Sequence, residues 1–146
     1  METYTVQQAA TLTGLSEHTL RYYERIGLIQ PVQRQESSGH RRYSPTDLAK
    51  LETLACLRAT GMPIEQMRRY FELRSRGADA AAAQQALLAA HLQELQRRMA
   101  ALQAHIAYVE HKIAYWCAVE AHDEPEAARI ARETQELVRA TVADRG

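Results

Sequence analysis

Two short runs of this chain concentrate cationic and hydrogen-bonding side chains: "TLRYYERIGL" at residues 19–28 and "GHRRY" at 39–43. In the first, Arg21 and Arg25 flank the pair Tyr22 and Tyr23. Positions four apart share one face of a helix. The chemistry offered is anion recognition, because a guanidinium fork matches phosphate oxygens and guanine edges. Tyrosine adds a stiff arm ending in a hydroxyl. The other reactive groups are two thiols, Cys56 and Cys117, at a spacing that fits no zinc or redox motif. The bland reading of each is a small buried hydrophobe. Neither has a neighbouring histidine placed as a base, so nucleophilic catalysis is not indicated. His91, His105 and His111 fall along a long apolar repeat, where solvation is the simple expectation.

The elements that must hold these residues are legible. Thr5 with Gln8 forms a capping box ahead of Val6, Ala9, Ala10 and Thr13, and Gly14 ends that helix. Ser16 caps a second helix that runs to about Ile26 and stops at Gly27. Helix, short turn, helix is the helix-turn-helix layout, whose second helix enters the major groove of DNA. Val32 and the arms around "ESSG" predict a hairpin with Gly39 in its turn. Ser44, Pro45 and Asp47 start a third helix with apolar arc Leu48, Leu51, Leu54 and Ala55. Gly61 stops it, and Pro63 opens a fourth with Ile64, Met67 and Phe71 on one side.

Beyond Gly77 neither Gly nor Pro occurs until Pro125. Leu88, Leu92, Leu95, Met99, Leu102, Ile106, Val109, Ile113 and Trp116 alternate steps of four and three. That heptad seam is about 42 Å long at 1.5 Å per residue, and the chain has no second helix of matching length to cover it. Dimerisation follows. A further amphipathic helix begins near Pro125, carrying Ile130, Leu137 and Val138. The fold class is therefore all-α with a small β-hairpin wing. Three segments are expected: residues 1–77 with the helix-turn-helix, 79–120 with the coil, and 121–146 as a helical tail.

The 146 residues carry no net charge, yet residues 1–76 hold 11 Lys/Arg against 8 Asp/Glu and residues 77–146 hold 7 against 10. The balance of +3 in front and −3 behind favours an anionic partner for the front half. No secretory leader and no apolar run of membrane-spanning length is visible, so a cytoplasmic protein is expected. On the DNA-binding reading, Ser16, His18 and Thr19 at the helix start face the groove. Arg21, Arg25 and a tyrosine reach phosphates or bases, while His40, Arg41, Arg42 and Tyr43 form a wing on the flanking backbone. One tyrosine of the pair serves the core, and Tyr23 fits that role because it lies three residues after Leu20.

"TLRYYERIGLI", "GHRRYSPTDLAKL" and "LRATGMPIEQM", in that order, resemble the MerR family of bacterial transcription regulators. The resemblance covers residues 4 to about 76 closely and 79–118 more loosely. It implies a winged helix-turn-helix, a second helix pair acting as another wing, and a long helix pairing antiparallel with its twin. It implies a nucleoid-associated homodimer on pseudo-palindromic promoter DNA, acting with RNA polymerase by bending and untwisting that DNA when an effector binds. Arg21, Tyr22, Tyr23, Arg41, Arg42 and Tyr43 match the family's DNA-contacting positions. Arg58, near the second wing, is a weaker transfer. Small architectural relatives of the excisionase kind lack the dimer helix, which argues against that alternative.

The effector is approached by elimination. Soft-metal sites need two or three thiolates, and only Cys117 follows the coil, with His122, Asp123 and Glu124 as harder neighbours. No metal or cofactor is assigned. A reversible ligand could sit at the coil junction. Cys56 lies off the core arc, on a stripe with Ala49, Thr53 and Thr60 that would admit the partner's long helix. "ACLRATGM" also resembles a subgroup associated with aldehyde and electrophile stress, in which a lone cysteine on this helix is the proposed sensor. Reactivity would need a lowered thiol pKa, to which Arg58 could contribute.

Overall fold

The computed structural model describes residues 3–143. Helix α1 (Val6–Thr13) starts at the expected capping box: Thr5 Oγ1 accepts from the Gln8 amide at 3.2 Å, and Gln8 Oε1 accepts from the Thr5 amide at 2.9 Å. Gly14 ends it in the left-handed region (φ 71°), a conformation that strains any residue with a Cβ. Ser16 then accepts from the Thr19 amide and opens α2 (Glu17–Arg25). Strands β1 (Gln33–Arg34) and β2 (Arg41–Arg42) pair antiparallel in the register Gln33↔Arg42, Arg34↔Arg41. Gly39, at φ 66°, makes the turn. Sequence patterning missed one feature: Tyr4 and Tyr43 exchange two backbone hydrogen bonds of 2.8 Å, tying the start of the chain to the wing.

Helix α3 (Pro45–Ala59) has its capping box from Ser44 and Asp47, and α4 (Ile64–Ser75) follows Pro63. Leu51 and Leu54 are buried, with Leu48 and Ala55 half-buried beside them, which is the arc expected of α3. These side chains pack with Ala9, Leu20, Tyr43 and Met67 into a core shared by the first four helices and the wing. A fully buried leucine of this kind is worth about 1.5–3 kcal/mol of apolar burial. On α4, Leu73 joins Met67 in burial while Phe71 is only partly covered.

A 3-10 turn at Gly77–Ala80 leads into α5 (Ala81–Glu120), and α6 (Glu124–Ala143) completes the chain. The molecule divides into two units between His91 and Leu92, inside α5 rather than at Gly77. Two side chains explain where the first unit stops. Gln84 Nε2 donates to the Tyr70 carbonyl at 3.2 Å, and His91 Nε2 lies 2.9 Å from the Thr60 hydroxyl. His91 is therefore buried (7% exposed) and not solvated as its place on an apolar repeat suggested. Because the Thr60 hydroxyl donates to the Leu57 carbonyl at 2.6 Å, the hydrogen on His91 Nε2 must point at Thr60.

In the second unit, His122 (φ 56°) turns the chain, and Asp123 caps α6 by accepting from the Glu126 amide. Tyr115 and Ala118 of α5 pack against Ala127 and Ile130 of α6. The seam takes a different face of α5. Leu88, Leu92, Met99, Leu102, Ile106, Val109, Ile113 and Trp116 are exposed, Trp116 to 64%, and Leu95 is half-buried. Among the described residues no helix is long and apolar enough to cross a membrane.

Candidate nucleic-acid interface

Side chains three and four apart on α2 separate into an inner and an outer row. Leu20 and Tyr23 are buried, whereas His18, Arg21 and Arg25 are exposed and Tyr22 is half-exposed. The outer row is the one expected to face a nucleic acid. Its members are held in place. Glu17 pairs with Arg21 at 3.1 Å, and the Arg25 guanidinium lies 5.5 Å from the centre of the Tyr22 ring. Ser16 and Thr19 share a hydroxyl contact of 2.8 Å, so part of their polar capacity closes the helix start.

The wing is fixed to α2 by Arg41, whose Nε donates to Glu24 Oε2 at 2.7 Å. Both side chains are largely covered, so removing either would leave the other poorly solvated and unpaired. Glu24 is thus a positioning residue. Its sequence signal was only an acid inside a basic run. On the opposite strand, Arg34 faces Arg41 in register and donates to the Gly39 carbonyl at 3.3 Å. Arg42 donates to Gln35 at 2.9 Å, while His40 is exposed. A cleft of about 420 Å³ runs between α2 and the wing, lined by Thr5, Glu17, Arg21, Arg34, His40 and Arg42 among others. Four arginines, Arg41 included, and one histidine against one paired acid make this an anion-accepting surface. Arg34 was not singled out in the sequence. The hairpin register, once drawn, is what identifies it.

Two of the expected contacts have their rings in the core. Tyr23 and Tyr43 are 3% and 0% exposed, so both rings belong to the core. Tyr43 exchanges both of its backbone hydrogen bonds with Tyr4, and its ring lies in the core with Leu20 and Leu51. Its hydroxyl is enclosed without a hydrogen-bond partner. Burial, and then the Glu24 carboxylate, push its pKa above the ordinary 10.0. The expectation that Tyr23 serves the core is met, and in this structure the enclosed Tyr43 hydroxyl is turned away from any phosphate.

Arg58 moves the other way. Its Nη1 donates to Thr19 Oγ1 at 3.3 Å, and its guanidinium lies 6.0 Å from the Tyr23 ring centre. It is held against α2, so it belongs with the α2 surface. Arg68 of α4 donates to the Ile26 carbonyl at 3.0 Å, satisfying the end of α2. Cys56 and Cys117 are both exposed, contrary to the buried-hydrophobe reading. Asp123 is spent on capping α6, and no group of three metal-ligating side chains occurs among the described residues.

The geometry can be set beside known proteins. Residues 4–74 match the MerR HTH family regulatory protein, and residues 48–112 match the DNA-binding region described as MerR. An uncharacterized HTH-type transcriptional regulator of Haemophilus influenzae is 33% identical over 114 residues, 78% of this chain and 84% of its own length. The HTH-type transcriptional regulator AdhR of Bacillus subtilis is 40% identical over 90 residues, 62% of this chain and 64% of its own. Among solved structures, HiNmlR, described as a MerR family regulator lacking the sensor domain and bound to promoter DNA, superposes with a TM-score of 0.70. It is 30% identical and covers 88% of this chain and 96% of its own.

Proposed function

The chain belongs to the MerR family of helix-turn-helix DNA-binding transcription regulators, not enzymes, and from that premise we propose that it acts as an effector-responsive homodimer on promoter DNA. The observation that carries this reading is the outer row of α2 beside the basic cleft of the wing, together with an uncovered apolar seam on α5. Two copies joined along their seams would present two such surfaces to a pseudo-palindromic site. The solved relative bound to promoter DNA supports that use. Control would come from distorting the DNA between promoter elements, so that RNA polymerase meets them in usable phase.

For the effector we favour covalent sensing at Cys56. The thiol is exposed on α3, and its carbonyl accepts from the Thr60 amide at 3.3 Å. The Thr60 side chain in turn meets buried His91, about three turns into α5. An adduct at Cys56 therefore grows one turn from the joint between the DNA-binding helices and the dimer helix. With a quinone, the thiolate sulfur forms a bond to a ring carbon. The displaced π pair moves to the carbonyl oxygen, which takes up a proton.

The test is intact-mass spectrometry after brief exposure to benzoquinone or a small aldehyde, paired with promoter-driven transcription in vitro. Native protein should gain one adduct at Cys56 and change its transcriptional output, and Cys56→Ala should lose that change. An unmodified Cys56, or an alanine variant that responds normally, would remove thiol sensing while leaving DNA binding untouched.

A further inference from the structure

Between α5 and α6 the second unit contains a cleft of about 540 Å³, within the range of small-molecule sites. Its α5 wall is Tyr108, Lys112 and Tyr115. At 3.6 residues per turn these three span an arc of about 60°. That arc lies between the side chains that meet α6 (His111, Ala118) and the exposed seam (Val109, Ile113, Trp116). From α6 come Gln135, Val138 and Arg139.

Charge gives the cleft its character. Arg97 and Arg98 pair with Glu94, and Arg129 pairs with Glu126 and Glu133. Lys112 and Arg139 have no such carboxylate among the described residues, and no acidic side chain lines the cleft. Lys112 Nζ instead stands 5.4 Å from the centre of the Tyr108 ring. The Tyr115 ring is held edge-on by Trp116 at 5.4 Å. Two aromatic faces, an aliphatic side chain at Val138 and two cations without counter-ions are the complement of one chemical class.

We infer that this cleft binds a small aromatic carboxylate. The ring would lie against Tyr108, Tyr115 and Val138, and the carboxylate would take the charge-assisted contacts that Lys112 and Arg139 lack. The site does not depend on Cys56. A ligand here would bridge α5 and α6 and favour their packed state by mass action.

The test is calorimetric titration of the full chain at low salt with 1-naphthoate, and with 1-naphthamide as the neutral isostere. Native protein should bind the acid with a dissociation constant below the millimolar range, and the amide about tenfold more weakly or less tightly still. Lys112→Gln and Arg139→Gln should each weaken the acid about tenfold, the loss of one charge-assisted contact. Arg139→Lys should retain most of the affinity, and Cys56→Ala all of it. Absence of binding by native protein, equal binding of acid and amide, or full affinity in both glutamine variants would overturn the assignment. The acid–amide comparison needs no variant, so it decides the question even where a substitution impairs folding.

Discussion

The two units spend their side chains in opposite ways. In the first, Leu20, Leu51, Leu54, Met67 and Tyr43 are enclosed while Arg21, Arg25 and His40 are turned outward. In the second, the buried apolar set is Ala118, Ala127 and Ile130, and the large apolar side chains of α5 stand exposed. One unit has completed its core and offers charge. The other has kept an apolar face uncovered, with α6 packed on a different side of the same helix. An exposed stripe of that length marks an interaction surface. On the function proposed above, the contrast assigns recognition of a charged partner and recognition of a like chain to different parts of the molecule.

The largest expected effect strikes the uncovered face. Leu102→Asp combined with Ile106→Asp should weaken self-association about a thousandfold or more, since each buried aliphatic contributes about 1.5–3 kcal/mol and appears twice in a symmetric dimer. Sedimentation equilibrium reads this directly. A dimer surviving the double variant would move the interface elsewhere and dissolve the contrast. A smaller effect is expected at the charged surface. Arg21→Ala should weaken promoter binding and reduce the log–log salt slope by about one unit per lost phosphate contact. Unchanged slope and affinity would take Arg21 out of the contacting set.

The smallest effect sharpens the division between core and surface. Tyr43→Phe removes a hydroxyl that is enclosed without a partner, so DNA affinity should hold and stability should stay within about 1 kcal/mol. The pH dependence has a definite sign. With its folded pKa raised above 10.0, Tyr43 favours the folded state at lower pH, and that advantage fades as the pH climbs through 10.0 and above. Native protein should therefore lose stability at alkaline pH more steeply than Tyr43→Phe in paired denaturation curves. A large loss of DNA affinity in the phenylalanine variant would instead restore Tyr43 to the contacting set.

Much of this was legible beforehand. The capping boxes at Thr5 and Ser44, the turns at Gly14 and Gly39, the hairpin and the seam were all readable, as was the choice of Tyr23 for the core. What escaped prediction shares a cause. The Tyr4–Tyr43 bridge buries a tyrosine that motif matching placed on DNA. Histidine at position 91 reads as one more polar residue on a coil until Thr60 is brought against it. Arg34 acquires a role only when the hairpin register sets it opposite Arg41. No local pattern distinguishes these residues from their neighbours.

The sequence by itself determined the helices, their ends and the period of the seam, because those features rest on hydrogen bonds and side-chain spacing within about four residues along the chain. Tertiary structure alone decided that Arg41 reaches Glu24, that Arg58 reaches Thr19, that Thr60 meets His91 and that Arg68 closes α2 at Ile26. Those partners stand 17, 39, 31 and 42 positions apart. Over such separations composition leaves many pairings open, and only close packing of the core selects one of them.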